Sequence, residues 1–483
     1  MNKKIVAISI ALVIIAVAAT VVMAQTGIPG TGWWTGEQVQ NVGTATANVV
    51  VTAYDKNGAA QYTSSQTLTV GSAFTFIPTN FSGMPAGFIG SAVVSSDQPI
   101  KAIVNVTNQQ SGSFGVAGGK AAAQYQGTEN VDTKLYFPLA KHNRFGKTTA
   151  FYVQNAGTAA ATATAVFVMD TGGTYTYTTP AIDPNKMVVI NPIDAGVPNV
   201  AGTGGRNNIG SLTVSSAQPL AGTVLEYTQG QAVATVLNGT RGFTAADFDT
   251  KAYAPVVKDN RFGRFTGVQV QNVSSGPITV TINYVGTGGC SGSFVDTATN
   301  VPAGASKTFV QQAPGSTFPA NCTGAATITA DGNFVTIVNE QNLTGFTTAG
   351  ITYSAMSDHS KTTKVSAPLY KDRRFGFSTG LQIQNVGTVA ATNVVATFAC
   401  KGAATFTAIS TPQTVAAGGA KLFYKPATMP AGTFTGANPF SNQNVNCAVT
   451  VTADQPVVTI QNETPDTAGA LDDNNYEGFN LTP

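Results

Sequence analysis

The sequence predicts an all-β chain, four tandem β-sandwiches in an extended rod behind an N-terminal signal peptide, and three observations lead there. A tripeptide recurs as Val39-Gln40-Asn41, Val153-Gln154-Asn155, Val270-Gln271-Asn272 and Ile383-Gln384-Asn385, at intervals of 114, 117 and 113 residues. Between recurrences lie short runs rich in Val, Thr, Phe and Tyr, separated by turn residues, with no competing helical period. The first 24 residues carry Lys3 and Lys4, an uninterrupted apolar run and small residues at Ala18, Ala19 and Ala24, the pattern of a secretory leader.

Cleavage after Ala24 is the expected processing. The alternative is an uncleaved anchor, because Ile5 to Val22 is nearly long enough to span a bilayer. No Cys follows the apolar run, which argues against a lipoprotein. The leader holds two of the 25 basic residues and none of the 23 acidic ones, so the remainder is formally neutral, with no charge excess to capture nucleic acid or anionic membrane. Charged residues are only 10% of the chain, against about 25% in an average soluble protein. A neutral polar surface on a secreted chain favours assembly or a place in a matrix.

The period is too long for a solenoid repeat and fits one independent domain. The expected domains are residues 25–132, 133–249, 250–362 and 363–483. In the first, strands read in order "GEQVQN", "NVVVTAY", "QYTSSQTLTV", "AFTFIP", "GSAVVSS" and "IKAIVNVT"; the second answers with "AFYVQN", "TAVFVM", "TYTYTT", "KMVVINP", "GSLTVSS" and "LAGTVLEY". With one more strand from the segment before each Arg-Phe-Gly, about seven strands fall in each unit, the count and size of an immunoglobulin-like sandwich.

Three junctions, "TKLYFPLAKHNRFG", "TKAYAPVVKDNRFG" and "TKVSAPLYKDRRFG", place Pro138, Pro255 and Pro368 after an extended run. Proline cannot donate to a ladder, so each segment is an edge strand or a stiff entry into the next sandwich. The first unit has no full copy: Gly32 aligns with Gly146, Gly263 and Gly376, but no Arg-Phe precedes it. If the segment is a strand of the domain that follows, the first domain presents an open sheet edge, which can dock another chain.

All four cysteines fall at two matching positions, Cys290 and Cys322 in the third unit, Cys400 and Cys447 in the fourth. Positions filled together, or left empty together, predict the intradomain disulfides Cys290–Cys322 and Cys400–Cys447, each worth on the order of 2–4 kcal/mol in an oxidising compartment. With only His142 and His359 in the chain, a zinc site lacks ligands. No Cys-x-x-Cys-His is present for haem, and no cofactor is expected. Sequons at Asn80, Asn105, Asn238, Asn342 and Asn462 are candidate glycosylation sites; those at Asn272, Asn321 and Asn480 complete the set. Asn272 belongs to the repeated tripeptide, whose Asn reads as a strand end bonding the following turn. The alternative is a row of Gln-Asn pairs binding a ligand. Asp97-Gln98-Pro99, Ala217-Gln218-Pro219 and Asp454-Gln455-Pro456 read as strand connections.

Catalytic patterns fail on context. "GFSTG", with Ser378 central, matches the hydrolase nucleophile pentapeptide but opens a strand rather than a strand-to-helix turn. His142 aligns with Asp259 and Asp372, and His359 lies in "SDHSKTT", so neither has a repeated partner for a triad. No unit shows acids added on its strand faces as a glycosidase pair would require. "DDNNYEG", Asp472 to Gly478, only partly matches a calcium loop. Trp33, Trp34, Phe145, Phe262, Phe265 and Phe375 cluster at strand entries. They are expected to cover the sandwich ends, the alternative being a sugar-stacking platform with Trp33 and Trp34 as the glycan-binding pair.

The repeated "PLAKHNRFG…FYVQNAGT", "PVVKDNRFG…VQVQNVSS" and "PLYKDRRFG…LQIQNVGT", with "GSAVVSSDQPIKAIVNVTNQ" closing a unit, resemble secreted bacterial cell-surface proteins built from tandem immunoglobulin-like repeats. The resemblance covers all four units and implies a surface or envelope role, with no catalytic residue to carry over. The expected function is a non-enzymatic extracellular structural protein of a surface layer, sheath or filament, self-associating or bound to other envelope proteins. The alternative is an adhesin or glycan-binding protein.

Overall fold

The computed structural model describes residues 18–20 and 28–480, apart from 57–60, 109–120, 171–172, 200–207, 231–233, 235, 288–289, 343–349, 375, 425–428, 441–442 and 467–473. Most of the expected leader therefore lies outside the described residues. Every regular element among those described is a strand or a short 3-10 turn. No helix among them is long and apolar enough to cross a membrane.

The first repeat contains β1 (Ala18–Thr20), β2 (Trp33–Asn41), β3 (Ala47–Asp55), β4 (Gln61–Leu68), β5 (Ala73–Phe76), β6 (Gly90–Ser96), β7 (Ile100–Asn108) and β8 (Ala122–Gln126). They form two sheets in the orders β1-β6-β3-β4 and β5-β2-β7-β8. The second repeat contains β9 (Asp132–Lys141), β10 (Lys147–Asn155), β11 (Ala163–Met169), β12 (Thr174–Thr178), β13 (Met187–Ile190), β14 (Ile209–Thr228) and β15 (Leu237–Arg241). Here β14 does the work of β6 and β7: its first half lies between β9 and β11, its second between β10 and β15.

The same plan recurs twice more. The third repeat has β16 (Asp249–Asp259), β17 (Arg264–Asn272), β18 (Ile278–Thr287), β19 (Gly292–Val301), β20 (Ser306–Val310), β21 (Cys322–Asn342), β22 (Gly350–Ser354) and β23 (Met356–Ser357). The fourth has β24 (Thr362–Asp372), β25 (Phe377–Asn385), β26 (Ala391–Gly402), β27 (Phe406–Ile409), β28 (Gln413–Val415), β29 (Ala420–Tyr424), β30 (Val445–Pro465), β31 (Asn474–Glu477) and β32 (Phe479–Asn480). All ladders are antiparallel, and β21 and β30 span both layers as β14 does. Each repeat thus fills at least eight strand positions rather than seven, and the third and fourth add a short ninth, β23 beside β16 and β32 beside β24. The eighth is "AAQYQ", "LNGTR", "GITYS" and "NNYE" in turn, four stretches with no shared pattern.

The junction segments are strands of the repeat that follows: β9 pairs with β14, β16 with β21 and β24 with β30. In each, the ladder register shifts across the proline, at Phe137/Ala140, Ala254/Val257 and Ala367/Tyr370. A bulge on a strand at the sheet margin is where proline's missing donor costs nothing. The expected strand connections at Ala217-Gln218-Pro219 and Asp454-Gln455-Pro456 instead lie within β14 and β30, where these strands cross between layers.

Burial tells the layers apart. β11 alternates buried and half-buried residues, as a sheet with one wet face should. β10 and β25 are buried at all nine positions. Their second face meets neighbouring repeats. Four apolar clusters fill the individual repeats, that of the third also taking in Ile460 of the fourth. Four others join them. Val106 and Tyr125 pack with Tyr152 and Leu225, and Leu139 and Phe243 with Val335 and Ile337. Tyr253 and Met356 meet Val386 and Val458. Leu369 and Phe479 close back on Ile103 of the first repeat.

The repeats therefore form a closed ring, with β8, β15, β22 and β31 packed against one another in its middle. This overturns the extended rod. Of the two expectations for the junction prolines, edge strand or stiff entry, the paired strand is the one found, and the apolar faces of the second sheets are buried between repeats. Small-angle scattering checks this: the monomer should show a radius of gyration of roughly 25 Å, near that of a compact chain of this length, against about twice that for a rod.

Candidate functional site

The Arg-Phe-Gly motif builds a tight hairpin between a junction strand and the strand that follows it. Asn143, Phe145 and Gly146 adopt positive φ of 56°, 51° and 75°, and Asn260, Phe262 and Gly263 repeat this at 47°, 55° and 70°. Short isolated bridges, Arg144–Lys147, Arg261–Arg264 and Arg374–Phe377, close the tips. A threonine clamps each hairpin eight residues on: the hydroxyls of Thr149, Thr266 and Thr379 accept from the backbone N–H of Lys141, Lys258 and Lys371 at 3.0, 2.9 and 2.9 Å. At the tips Phe145 and Phe262 are 54% and 79% exposed. Arg144 and Arg261 lie 4.5 Å over their rings. These two phenylalanines do not cover the sandwich ends as expected; Phe265 is buried, and Phe375 lies outside the described residues.

Each asparagine of the tripeptide has the predicted turn role. Asn41 Nδ2 donates to Ala45 O and Leu68 O while its Oδ1 accepts from Gly43 N. Asn155, Asn272 and Asn385 repeat all three bonds. The glutamines do not form a ligand-binding row. Gln154, Gln271 and Gln384 are fully buried, and three of the four glutamines bond across repeats. Gln40 Oε1 accepts from Ser366 Oγ at 2.7 Å. Gln271 Nε2 donates to Thr213 Oγ1 at 3.3 Å, and Gln384 Nε2 to Ala326 O at 3.2 Å.

The motif lysines find buried glutamates. Lys141 lies 2.5 Å and Lys147 3.4 Å from Glu226. Lys258 and Arg264 lie 2.8 and 3.0 Å from Glu340, and Lys371 lies 2.7 Å from Glu463. Burial acts to raise the Glu226 carboxyl, but Lys141 and Lys147 outweigh it and hold it at about 2. Burial also depresses the Lys147 ammonium to about 8, against the pull of Glu226. Glu340 is likewise lowered: its burial is offset by Lys258 and Arg264. Acids on strand faces were not anticipated; the signal lies in Leu225-Glu226, Asn339-Glu340 and Asn462-Glu463, each following a motif lysine.

Both expected disulfides are present. Cys400 and Cys447 are direct cross-strand partners on β26 and β30. That bond staples neighbours in one sheet, unlike the inter-sheet bond of antibody domains. Among the sequons, Asn80 is exposed, and Asn105, Asn342 and Asn462 are half-buried. Asn238 is 2% exposed and donates to Glu226 Oε1, so the folded chain closes that acceptor. Ser378 is buried and donates to Asp466 Oδ1 at 2.7 Å. His142 Nδ1 lies 2.6 Å from Val197 O, and exposed His359 pairs with Asp249 at 2.9 Å. Of the partial calcium loop, Asp472 and Asp473 lie outside the described residues.

Trp33 and Trp34 line a cavity of about 240 Å³ with Phe76, Phe81, Met84 and Phe88. Its origin is a set of small residues at positions that the other repeats fill. Ala53 pairs with Ala92 as Phe167 pairs with Leu212, Tyr284 with Ala326 and Phe398 with Val449. One buried aromatic ring per repeat is thus missing from the first. Glu37 stands three residues before Gln40, where Phe151, Val268 and Leu381 stand before their glutamines. The Trp34 ring lies over Gly36, where an added Cβ would sit 3.1 Å from it. A second cavity, about 210 Å³, opens at the ring's middle with all four repeats contributing, among them Lys101, Arg241, Ser354 and Glu477. Its charges are largely satisfied internally: Arg241 pairs with Asp247 and Lys101 with Glu129, each at 2.6 Å, and the Glu477 carboxylate accepts from Ser354 N–H.

No protein-family model matches the chain, and no curated protein matches it. A solved structure, the tetra-tandem repeat in the extending region of a large adhesion protein, aligns over 97% of this chain and 100% of that one at 12% identity, with a TM-score of 0.11. At that score the two chains share no common superposition, so the likeness supports neither fold nor function.

Glu226→Gln should leave two buried lysines uncompensated, a loss of about 3–5 kcal/mol at pH 7. A carboxyl at about 2 in the fold against an ordinary 4.5 stabilises fully above pH 4.5, and that contribution is lost as pH falls toward 2. Thermal unfolding against pH should therefore show the variant less stable at pH 7 but nearly level with the parent at pH 2. Separately, reduction of the disulfides should lower the unfolding temperature, and Cys400→Ala should reproduce part of that fall.

Proposed function

We propose that the chain is a non-enzymatic structural protein of the cell envelope, secreted and held outside the cell, and built from four immunoglobulin-like β-sandwich domains. One observation carries this reading: the repeated asparagines, glutamines and lysines are spent on construction. The tripeptide asparagines bond turns, the glutamines Gln40, Gln271 and Gln384 bond neighbouring repeats, and the motif lysines neutralise buried glutamates. A repeated catalytic or ligand-binding device would instead turn its motif residues toward an open cleft. Two disulfides fit an oxidising compartment, and the formally neutral surface fits packing into a layer, sheath or filament through self-association or other envelope proteins.

An adhesin or glycan-binding role is the second reading, favoured by the cavity of Trp33 and Trp34, which the other repeats fill with an aromatic ring. Its lining is mainly apolar, with Glu37 and Thr35 the polar exceptions, whereas sugar sites need several convergent hydrogen-bonding groups. Negative-stain microscopy and mass photometry over a concentration series distinguish the two. Ordered sheets or filaments are expected. Persistent single rings that bind a glycan array, with binding lost in Trp34→Ala, would replace the structural reading with the adhesin.

A further inference from the structure

The first repeat lacks a junction segment, yet its sheet is not bare at that edge. Ala18, Ala19 and Thr20 pair antiparallel with Val94, Val93 and Ala92 of β6. In the second repeat Leu135, Tyr136 and Phe137 pair with Val214, Thr213 and Leu212 of β14. The sequences "GSAVVSS" of β6 and "GSLTVSS" of β14 superpose residue for residue. β1 therefore occupies the register of β9, three residues for three.

β9 then continues to Ala140 and Lys141, opposite Gly210 and Ile209, and both are buried. The corresponding stretch of the first repeat, next to Gly90 and Ala92, borders the 240 Å³ cavity of Trp33 and Trp34. Cavity and edge are one groove: a strand position on β6 that runs into an apolar hole. A backbone edge with a hydrophobic pocket beside it is what strand addition requires, the ladder giving affinity and the pocket selecting side chains. A small ligand would use the hole but not the edge.

We propose that this groove is a strand-acceptor site whose occupant is the chain's own strand Ala18–Thr20. The segment is then a structural part of the first repeat as well as a candidate leader. Removal of residues 1–24 leaves an acceptor open to the same sequence supplied from outside.

The chain's two tryptophans both line the groove, so intrinsic fluorescence reports on it without labels. The test compares the full chain with its Ala19→Pro variant, since proline in so short a strand removes a ladder bond. Where a host removes the leader, the processed chain takes the variant's place. Amide exchange at Gly90–Ser96 should become about tenfold faster in the variant or processed chain, the loss of roughly one ladder bond, with a red-shifted tryptophan emission. A peptide spanning residues 16–24 with a solubilising lysine tail should restore both, saturably, and its Ala19→Pro form should bind at least about tenfold more weakly. Unchanged exchange in the variant overturns the proposal. So does equal rescue by the two peptides, which would mean adsorption to an apolar surface. A hydrophobic dye that fills the groove while neither peptide binds would make it a small-molecule cavity instead.

Discussion

An antiparallel sheet normally keeps one face dry and lets the other meet water. In β10 and β25 both faces are dry, and much of the architecture follows from that condition. A strand buried twice needs a second apolar surface, which the neighbouring repeat supplies. Every polar side chain on such a strand must then find a partner within protein, because a buried group without one costs about 1–3 kcal/mol. The glutamine of the tripeptide meets this need at three boundaries by bonding the preceding repeat of the ring. The threonine eight residues after each motif lysine accepts from that lysine's backbone N–H, so the hairpin tip is fixed from inside. Glu226, Glu340 and Glu463 are each admitted beside a motif lysine.

The all-β character was legible because strands such as β11 keep a period of two, and the asparagine's turn role because its follower is Val-Gly, Ala-Gly or Val-Ser each time. The disulfides were legible from paired occupancy alone. Ring closure was not. It depends on the final strand of each repeat, where Gln126, Arg241, Ser354 and Glu477 stand at matching ends with no common chemistry. It also depends on reading Pro138 as a bulge in a paired strand, which requires knowing the partner's register. The cavity of Trp33 and Trp34 was half legible. The tryptophans stand out in the sequence, but the absence that makes the hole, Ala53 where others have Phe167, Tyr284 and Phe398, appears only once the ladders align the repeats.

The repeats share a plan and diverge in how they are reinforced. The third and fourth carry disulfides, the second through fourth carry buried ion pairs, and the first has neither of these in its Val106, the counterpart of Glu226. A graded reinforcement of this kind makes the first repeat the most adaptable member of the ring. It is also the member whose core is incompletely filled.

Closure brings the first and fourth repeats into contact, and their shared apolar cluster is the smallest of the four, Ile103 with Leu369 and Phe479. Around it stand only polar contacts: Lys101 over the Phe479 ring, the Gln40–Ser366 bond, and bonds from Gln38 to Pro368 O and from Gln126 to Glu477 O. A load applied between those two repeats would therefore reach this contact before any sandwich core. The ring would open at one joint and lengthen toward a strand of four intact beads, giving the molecule a mechanical stroke that it can make without unfolding.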